Sequence, residues 1–190
     1  MRDFDPRLVG RLECAAWMAY YRREWLVFLR AAIRLTRHTF ALNWPATLYG
    51  SWLVLRANQL WAPCPDNDPD GARRCMRSFY GLLVRRHRER FDVGEAARLE
   101  VEWWRVHRIR QREVPGGDAD PLVDALTALY AHVYGVERDA VLTAARERTL
   151  AMDLSDRWVH EGCQLESPLL AEERAALVRS YAALLAAVHR

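Results

Sequence analysis

The sequence contains no lysine, so arginine supplies all 28 of its strongly basic residues. We attribute this bias first to genomic composition and only second to chemistry. Its four cysteines, at positions 14, 64, 75 and 163, show no CxxC spacing, and the first six residues are too polar for a secretory leader. These absences predict reduced thiols in a cytoplasmic protein.

No segment alternates apolar and polar residues with β-branched enrichment, so we expect no sheet. Helix starts are instead marked by a capping side chain followed by proline, as in Asp5-Pro6, Asp68-Pro69, Asp120-Pro121 and Ser167-Pro168. Asp92 with Glu95 resembles a capping box, and Asn43 ahead of Pro45 is a weaker start. The sequence predicts an all-α, bundle-like array of seven or eight helices near 6–21, 22–40, 45–62, 69–90, 93–112, 121–135, 138–162 and 168–189, the first two of which can be continuous.

With 51% hydrophobic residues in 190, the chain can bury a substantial core. We expect a single helical domain over residues 1–190, with a possible subdivision near 113–119. Residues 1–112 contain 21 arginines and 12 acidic residues, whereas residues 113–190 contain 7 and 13. Either the two parts attract each other within the fold, which we favour, or the basic part meets an anionic partner.

The most unusual stretch places Glu100, Trp103, Trp104 and His107 on one apolar helix face. An unpaired buried carboxylate costs several kcal/mol, so Glu100 needs a cation, a metal or a polar network as its partner.

Two other predicted helices repeat this pattern. Glu13 lies within an aromatic stripe, where Arg23 or a tyrosine hydroxyl can satisfy it, and Asp156 lies four residues before His160 on an apolar arc. Carboxylates and imidazoles that project into a bundle are typical of di-iron and di-manganese sites. The sequence therefore gives a candidate metal site for iron or manganese, formed by Glu13, Glu100, His107, Asp156 and His160.

The i, i+7 pair of Glu100 and His107 resembles the first ligand pair of the haem-oxygenase-like di-iron oxygenases. This resemblance implies oxygen activation on a small organic molecule, with iron held inside a seven- or eight-helix array. In that family the closing helix has two histidines around an aspartate, whereas here Asp156 has only His160 and position 152 is methionine. The metal-dependent enzyme is thus one hypothesis among several.

The first alternative is a non-catalytic interaction or scaffold protein, in which arginines such as Arg56 pair with the buried acids and the tryptophans serve the core, a protein partner or a homo-oligomer. The second alternative is a basic surface that binds nucleic acid or an anionic membrane, since arginines line one side of residues 22–40 and recur through 73–90. A further possibility is a metal-free pocket in which Glu100 and His107 are joined by Tyr20, Arg56, Trp103 and Trp104.

Two local patterns have simpler explanations. Residues 39–55 carry no charge but include Asn43, Pro45 and Gly50, so we expect a turn followed by a buried helix rather than a membrane span. Asp66, Asp68 and Asp70 reproduce the opening of a calcium-binding EF-hand loop, but the twelfth position is Arg77 rather than glutamate. We therefore expect a capped turn between helices and not a calcium site.

Overall fold

The computed structural model describes residues 1–112 and 119–189 of the chain. This part of the chain contains eight helices and no strand, which confirms the predicted all-α class. The helices are α1 (Pro6–Tyr21), α2 (Trp25–Thr39), α3 (Trp44–Trp61), α4 (Pro69–His87), α5 (Val93–Arg112), α6 (Asp120–Tyr134), α7 (Arg138–His160) and α8 (Pro168–Val188).

Side-chain caps begin five of the helices, because the first backbone N–H groups of a helix have no partner within it. The predicted caps are confirmed, and each accepts a hydrogen bond from a backbone N–H of its first turn: Asp5, Asn43, Asp68, Asp92 and Ser167. The prediction for Asp120 is wrong by one position. Helix α6 begins at Asp120 itself, and Ala119 occupies its N-cap position.

The first two helices are separate, which decides between the two possibilities left open by the sequence. Arg23 adopts the left-handed conformation with φ of 60°, and this ends α1. The backbone N–H of Glu24 then donates to the carbonyl of Ala19, which closes the turn. Helix α2 starts at the next residue and runs back beside α1.

The helices pack in a closed ring, since each contacts the next along the chain and α8 returns to contact α1. The contact between α1 and α8 is close because Gly10 has no Cβ. A Cβ there would lie 2.9 Å from the backbone nitrogen of Val178. The largest apolar cluster draws residues from α1 and from α3 to α8. By contrast, α2 buries only Ala31, Thr36 and Thr39.

The basic first part and the acidic last part contact each other within this ring. Arg110 of α5 pairs with Asp153 of α7, with 2.9 Å between Nη2 and Oδ2. Such a pair is expected if the two parts attract each other. The possible subdivision falls almost entirely on residues 113–118, which lie outside the described residues, so the number of domains remains a prediction.

The structure also bears on the cysteines and on the uncharged stretch. All four cysteines are free thiols. In the described ranges, no helix has both the length and the apolar character that crossing a bilayer requires.

Candidate functional site

Glu13 of α1 is a buried carboxylate, 4% exposed, and its charge is compensated inside the fold. Arg148 of α7 donates two hydrogen bonds to it, one of them 3.0 Å long between Nη1 and Oε2. The hydroxyl of Tyr181 in α8 donates a third, at 2.7 Å. The three groups therefore connect three helices through one ion pair.

Arg148 is enclosed by aromatic rings as well as by the acid. The rings of Trp17, Trp103 and Tyr181 have their centroids 5.7 to 6.0 Å from the guanidinium carbon. Burial opposes the positive charge, but Glu13, Tyr130 and Tyr181 together outweigh this effect and raise the pKa of Arg148 well above its usual value. The guanidinium is therefore charged in the fold.

This pair has the form predicted by the non-catalytic hypothesis, in which arginine neutralises a buried acid. The arginine that we named for this role is wrong, because Arg56 lies exposed on α3 and its nearest side-chain partner is Gln59. The sequence did contain a signal for Arg148. Its neighbours three and four positions away are Ala144, Ala145, Ala151 and Met152, so the apolar face of α7 includes it.

Glu100 of α5 is satisfied by neutral donors. The hydroxyl of Tyr80 donates to it at 2.7 Å and the indole N–H of Trp104 at 3.2 Å. Burial raises the pKa of Glu100, whereas the hydrogen bond from Tyr80 acts in the opposite direction. The carboxylate consequently holds α4 and α5 together.

Asp156 of α7 bonds to two side chains of α5. Nε2 of His107 lies 3.2 Å from one carboxylate oxygen, and Gln111 donates a hydrogen bond to the other oxygen. The prediction that His160 faces the interior is wrong. It lies exposed at the end of α7, where its Nδ1 is 2.7 Å from the carbonyl oxygen of Asp156.

The five predicted metal ligands therefore occupy different surroundings. Glu13 meets Arg148, Glu100 meets Tyr80, His107 and Asp156 meet each other, and His160 turns outward. Within residues 1–112 and 119–189 there is no group of three or more His, Cys, Asp or Glu side chains arranged to hold a metal ion.

The residues proposed to line a ligand pocket are also divided. Trp103 and Trp104 face the interior side of α5, with ring centroids 6.1 Å apart. Tyr20 is 43% exposed and packs beside Trp25, while Arg56 faces solvent. These four residues do not line one pocket, because two point inward and two outward.

The aspartates of the EF-hand-like turn have local partners. Asp68 accepts the backbone N–H of Gly71 at 2.7 Å and so caps α4. Asp70 pairs with Arg73, with 2.8 Å between the two charged atoms. These contacts form the capped turn between helices that the sequence favours. Asp66 lies just before this turn.

Glu173 of α8 is a buried acid that the sequence analysis missed. It is 1% exposed, and burial raises its pKa to about 7. Cys14 and Ser155 are its polar neighbours, and its Oε1 has no hydrogen-bond partner among the described atoms. The sequence again contained a signal of its burial, because the residues three and four positions away on either side of Glu173 are apolar: Leu169, Leu170, Ala176 and Leu177.

The largest departure from the sequence predictions lies on the outside of α2 and α3. The described chain exposes eleven large apolar side chains, and eight belong to these two helices: Trp25, Leu26, Val27, Leu29, Trp44, Leu48, Tyr49 and Trp52. We call this surface the α2–α3 face. Leu26 is 84% exposed, which is the highest value of the eleven. This concentration exceeds the scatter of single exposed apolar residues that is ordinary on a protein surface.

The expectation of a buried helix in residues 39–55 is therefore wrong in part. Helix α3 follows the predicted turn, but only its inner side is buried, through Thr47, Gly50, Leu53 and Ala57. Gly50 allows the ring of Phe79 in α4 to approach closely. The outer side of this stretch, which is equally free of charge, is not covered by any helix in the described part of the chain, and Trp44 and Trp52 are more than half exposed.

Within its own segment the α2–α3 face carries only positive charge, while Asp3 and Asp5 line a cavity together with Arg37. Residues 25–65 contain Arg30, Arg34, Arg37 and Arg56 but no aspartate or glutamate. Arg37 stacks on the ring of Trp44 at 4.0 Å. Arg30, Arg34 and Arg56 form no ion pair with any residue that the structure describes. The face thus combines aromatic side chains with uncompensated cations.

Three arginines on α4 have different surroundings. Arg77, Arg85 and Arg86 are exposed and likewise form no ion pair with the described residues. The exposed large apolar residues do not extend to α4. These three arginines therefore provide a reference for the α2–α3 face that is matched in charge.

No family model, curated protein or solved structure matches the chain.

Proposed function

We propose that this chain is a non-catalytic binding protein whose α2–α3 face engages an anionic partner. The single observation that carries the proposal is the composition of residues 25–65, in which four arginines and eight exposed large apolar residues occur without any aspartate or glutamate. Uncompensated cations attract negatively charged partners, and exposed apolar area gives affinity once it is covered.

The interior supports binding rather than catalysis. Glu13, Glu100 and Asp156 use their oxygens for Arg148, Tyr80, Trp104, His107 and Gln111, so these polar groups satisfy one another. Networks of this kind fix helices in register. A reactive centre instead needs several groups that converge on an open space, and the interior contacts do not have that form.

The test is retention on an anionic matrix such as heparin, with salt as the eluent. We expect the variant Arg30→Gln, Arg34→Gln, Arg56→Gln to elute at clearly lower salt than the wild type. Each arginine that neutralises a phosphate-like charge contributes roughly one to the slope of log affinity against log salt. The expected fall in slope is therefore about two to three.

The control is the variant Arg77→Gln, Arg85→Gln, Arg86→Gln, which removes the same charge from α4. It should retain most of the wild-type retention. If both variants weaken retention equally, binding follows net charge alone and the α2–α3 face is not the site. If neither variant changes it, an anionic partner is excluded for this face.

The metal-dependent enzyme remains the competing function. It requires Glu13, Glu100, His107, Asp156 and His160 to act on iron or manganese. Metal analysis of protein purified without an affinity tag separates the two proposals directly. Iron or manganese bound in a stoichiometric amount would overturn the non-catalytic proposal, and metal at background level would support it.

A further inference from the structure

The corner between α1 and α2 projects three consecutive apolar side chains. Trp25, Leu26 and Val27 are 54%, 84% and 50% exposed. Successive residues of a helix point about 100° apart, so all three are exposed only where a helix end stands clear of its neighbours. Arg22, Arg23 and Glu24 precede them in the turn, and Arg22 pairs with Glu24 at 2.8 Å. The corner therefore has an apolar tip above a turn that carries two cations and one acid.

Helix α3, which contacts α2, has an exposed apolar stripe of its own. Trp44, Leu48 and Trp52 recur every four residues and thus follow one side of the helix. The neighbouring α2 has Leu26 and Leu29 exposed. Two adjacent helices with exposed apolar sides and flanking arginines are typical of proteins that lie in a membrane interface, where tryptophan is enriched.

Other anionic partners fit this surface less well. A nucleic-acid backbone is bound mainly by cations, and such binding does not need the eight exposed large apolar residues of this face. A second copy of the chain would bring two copies of this face together, and the arginines of residues 25–65 would find no aspartate or glutamate in the same segment of the other copy. A lipid bilayer accepts both the apolar tip and the cations, at different depths.

We infer that the α2–α3 face binds the surface of an anionic lipid bilayer, with the corner of Trp25, Leu26 and Val27 inserted between the headgroups. This inference rests on the proposed function, since it names the anionic partner. The arginines meet lipid phosphates, while Trp44 and Trp52 lie at the level of the headgroups.

The experiment is co-sedimentation with vesicles of phosphatidylcholine, with and without phosphatidylglycerol. The wild type should bind only the vesicles that contain phosphatidylglycerol. The variant Leu26→Gln, Val27→Gln keeps every charge but removes the apolar tip. Its affinity for these vesicles should fall by about tenfold or more. The control Leu150→Gln, Leu165→Gln changes two exposed leucines elsewhere and should bind like the wild type.

Heparin retention of the same proteins separates a failure of the lipid inference from a failure of the proposed function. If the wild type is retained on heparin but does not bind vesicles, the lipid inference fails while the proposed function stands. If it binds neither, both fail. Equal vesicle binding by the corner variant and its control would exclude insertion. A concentration-dependent dimer that Leu26→Gln, Val27→Gln abolishes would identify a second copy as the occupant and overturn the lipid inference.

Discussion

Glu13 and Arg148 are 135 positions apart in the sequence and form an ion pair in the interior, where α1 and α7 approach each other. Tyr181 bonds to the same carboxylate, so the pair also includes the helix that closes the ring. Its energetic importance follows from burial. Removing one charge would leave the other without a partner in a medium that solvates it poorly.

We predict that Glu13→Gln lowers the free energy of unfolding by about 3 to 5 kcal/mol, because Arg148 would remain charged and unpaired. The double variant Glu13→Leu, Arg148→Met removes both charges and should recover a large part of this loss. Urea unfolding of the three proteins measures both effects. A matched control is Arg179→Gln, which breaks an exposed pair with Glu147 and should cost about 0 to 1 kcal/mol. Equal losses for Glu13→Gln and Arg179→Gln would show that the interior ion pair contributes no more to stability than an exposed one.

Glu173 should make stability depend on pH. Burial raises its pKa to about 7 in the fold, above the ordinary 4.5 of an unfolded chain. The folded protein therefore favours the protonated acid. Its stabilising contribution is complete below about pH 4.5 and is lost as pH rises through 7, by about 3 kcal/mol in total. Thermal unfolding between pH 4.5 and 8 measures this loss.

The variant Glu173→Gln isolates this group because it keeps the shape of the neutral acid. It should melt like the wild type near pH 4.5 and at a higher temperature at pH 8. Glu172→Gln, which changes the exposed neighbouring acid, should leave the pH profile unchanged. A wild-type profile that Glu173→Gln fails to flatten would assign the pH dependence to other groups.

The close approach of α1 and α8 predicts an unusual effect of alanine at Gly10. Alanine normally stabilises a helix by about 0.5 to 1 kcal/mol relative to glycine. Here its Cβ would lie 2.9 Å from the backbone of Val178, so Gly10→Ala should instead destabilise by about 1 to 3 kcal/mol. Gly81→Ala is the control, since its nearest atom belongs to the flexible side chain of Arg85. A stabilised Gly10→Ala variant would show that α8 can move away without cost.

The expectation of a single domain leads to a prediction about fragments. Residues 1–112 expressed alone should be insoluble, because α1 would lose α8 and Glu13 would lose Arg148. Expression followed by calorimetry checks this. A soluble fragment that melts cooperatively would instead favour two domains.

Helix positions were predictable from the sequence because caps act locally. Asp5, Asp68 and Ser167 each bond to backbone N–H groups within three residues, so a short window contains all the information. The start of α6 was misplaced because proline is tolerated at the second helical position as well as the first, and Asp120 is therefore helical.

The interior acids were predictable as buried, but their partners were not. Apolar residues at three and four positions on both sides surround Glu13 and Glu100, and the same rule identifies Arg148 and Glu173. His160 fails the rule, because Asp156 and Arg157 precede it, and it is exposed. Which buried acid meets which buried base depends on helix packing across the ring, and periodicity along one helix contains no information about it.

The α2–α3 face was missed for a related reason. An uncharged stretch such as residues 39–55 can be covered on every side or on one side only, and its composition is the same in both cases. Only the positions of the other described helices show that α3 packs on α2 and α4 while its outer side is left exposed. The lack of acids in residues 25–65 was the visible sign of a surface with a different role.

The most direct test of the proposed binding function is hydrogen exchange of the full chain with and without a heparin oligosaccharide. Helix α2 has only three buried residues, so its amides should exchange through local opening that a bound anion suppresses. We predict slower exchange in peptides from residues 22–61, with no change in α7. Slower exchange confined to α4, or none anywhere, would contradict the assignment of the α2–α3 face as the binding surface.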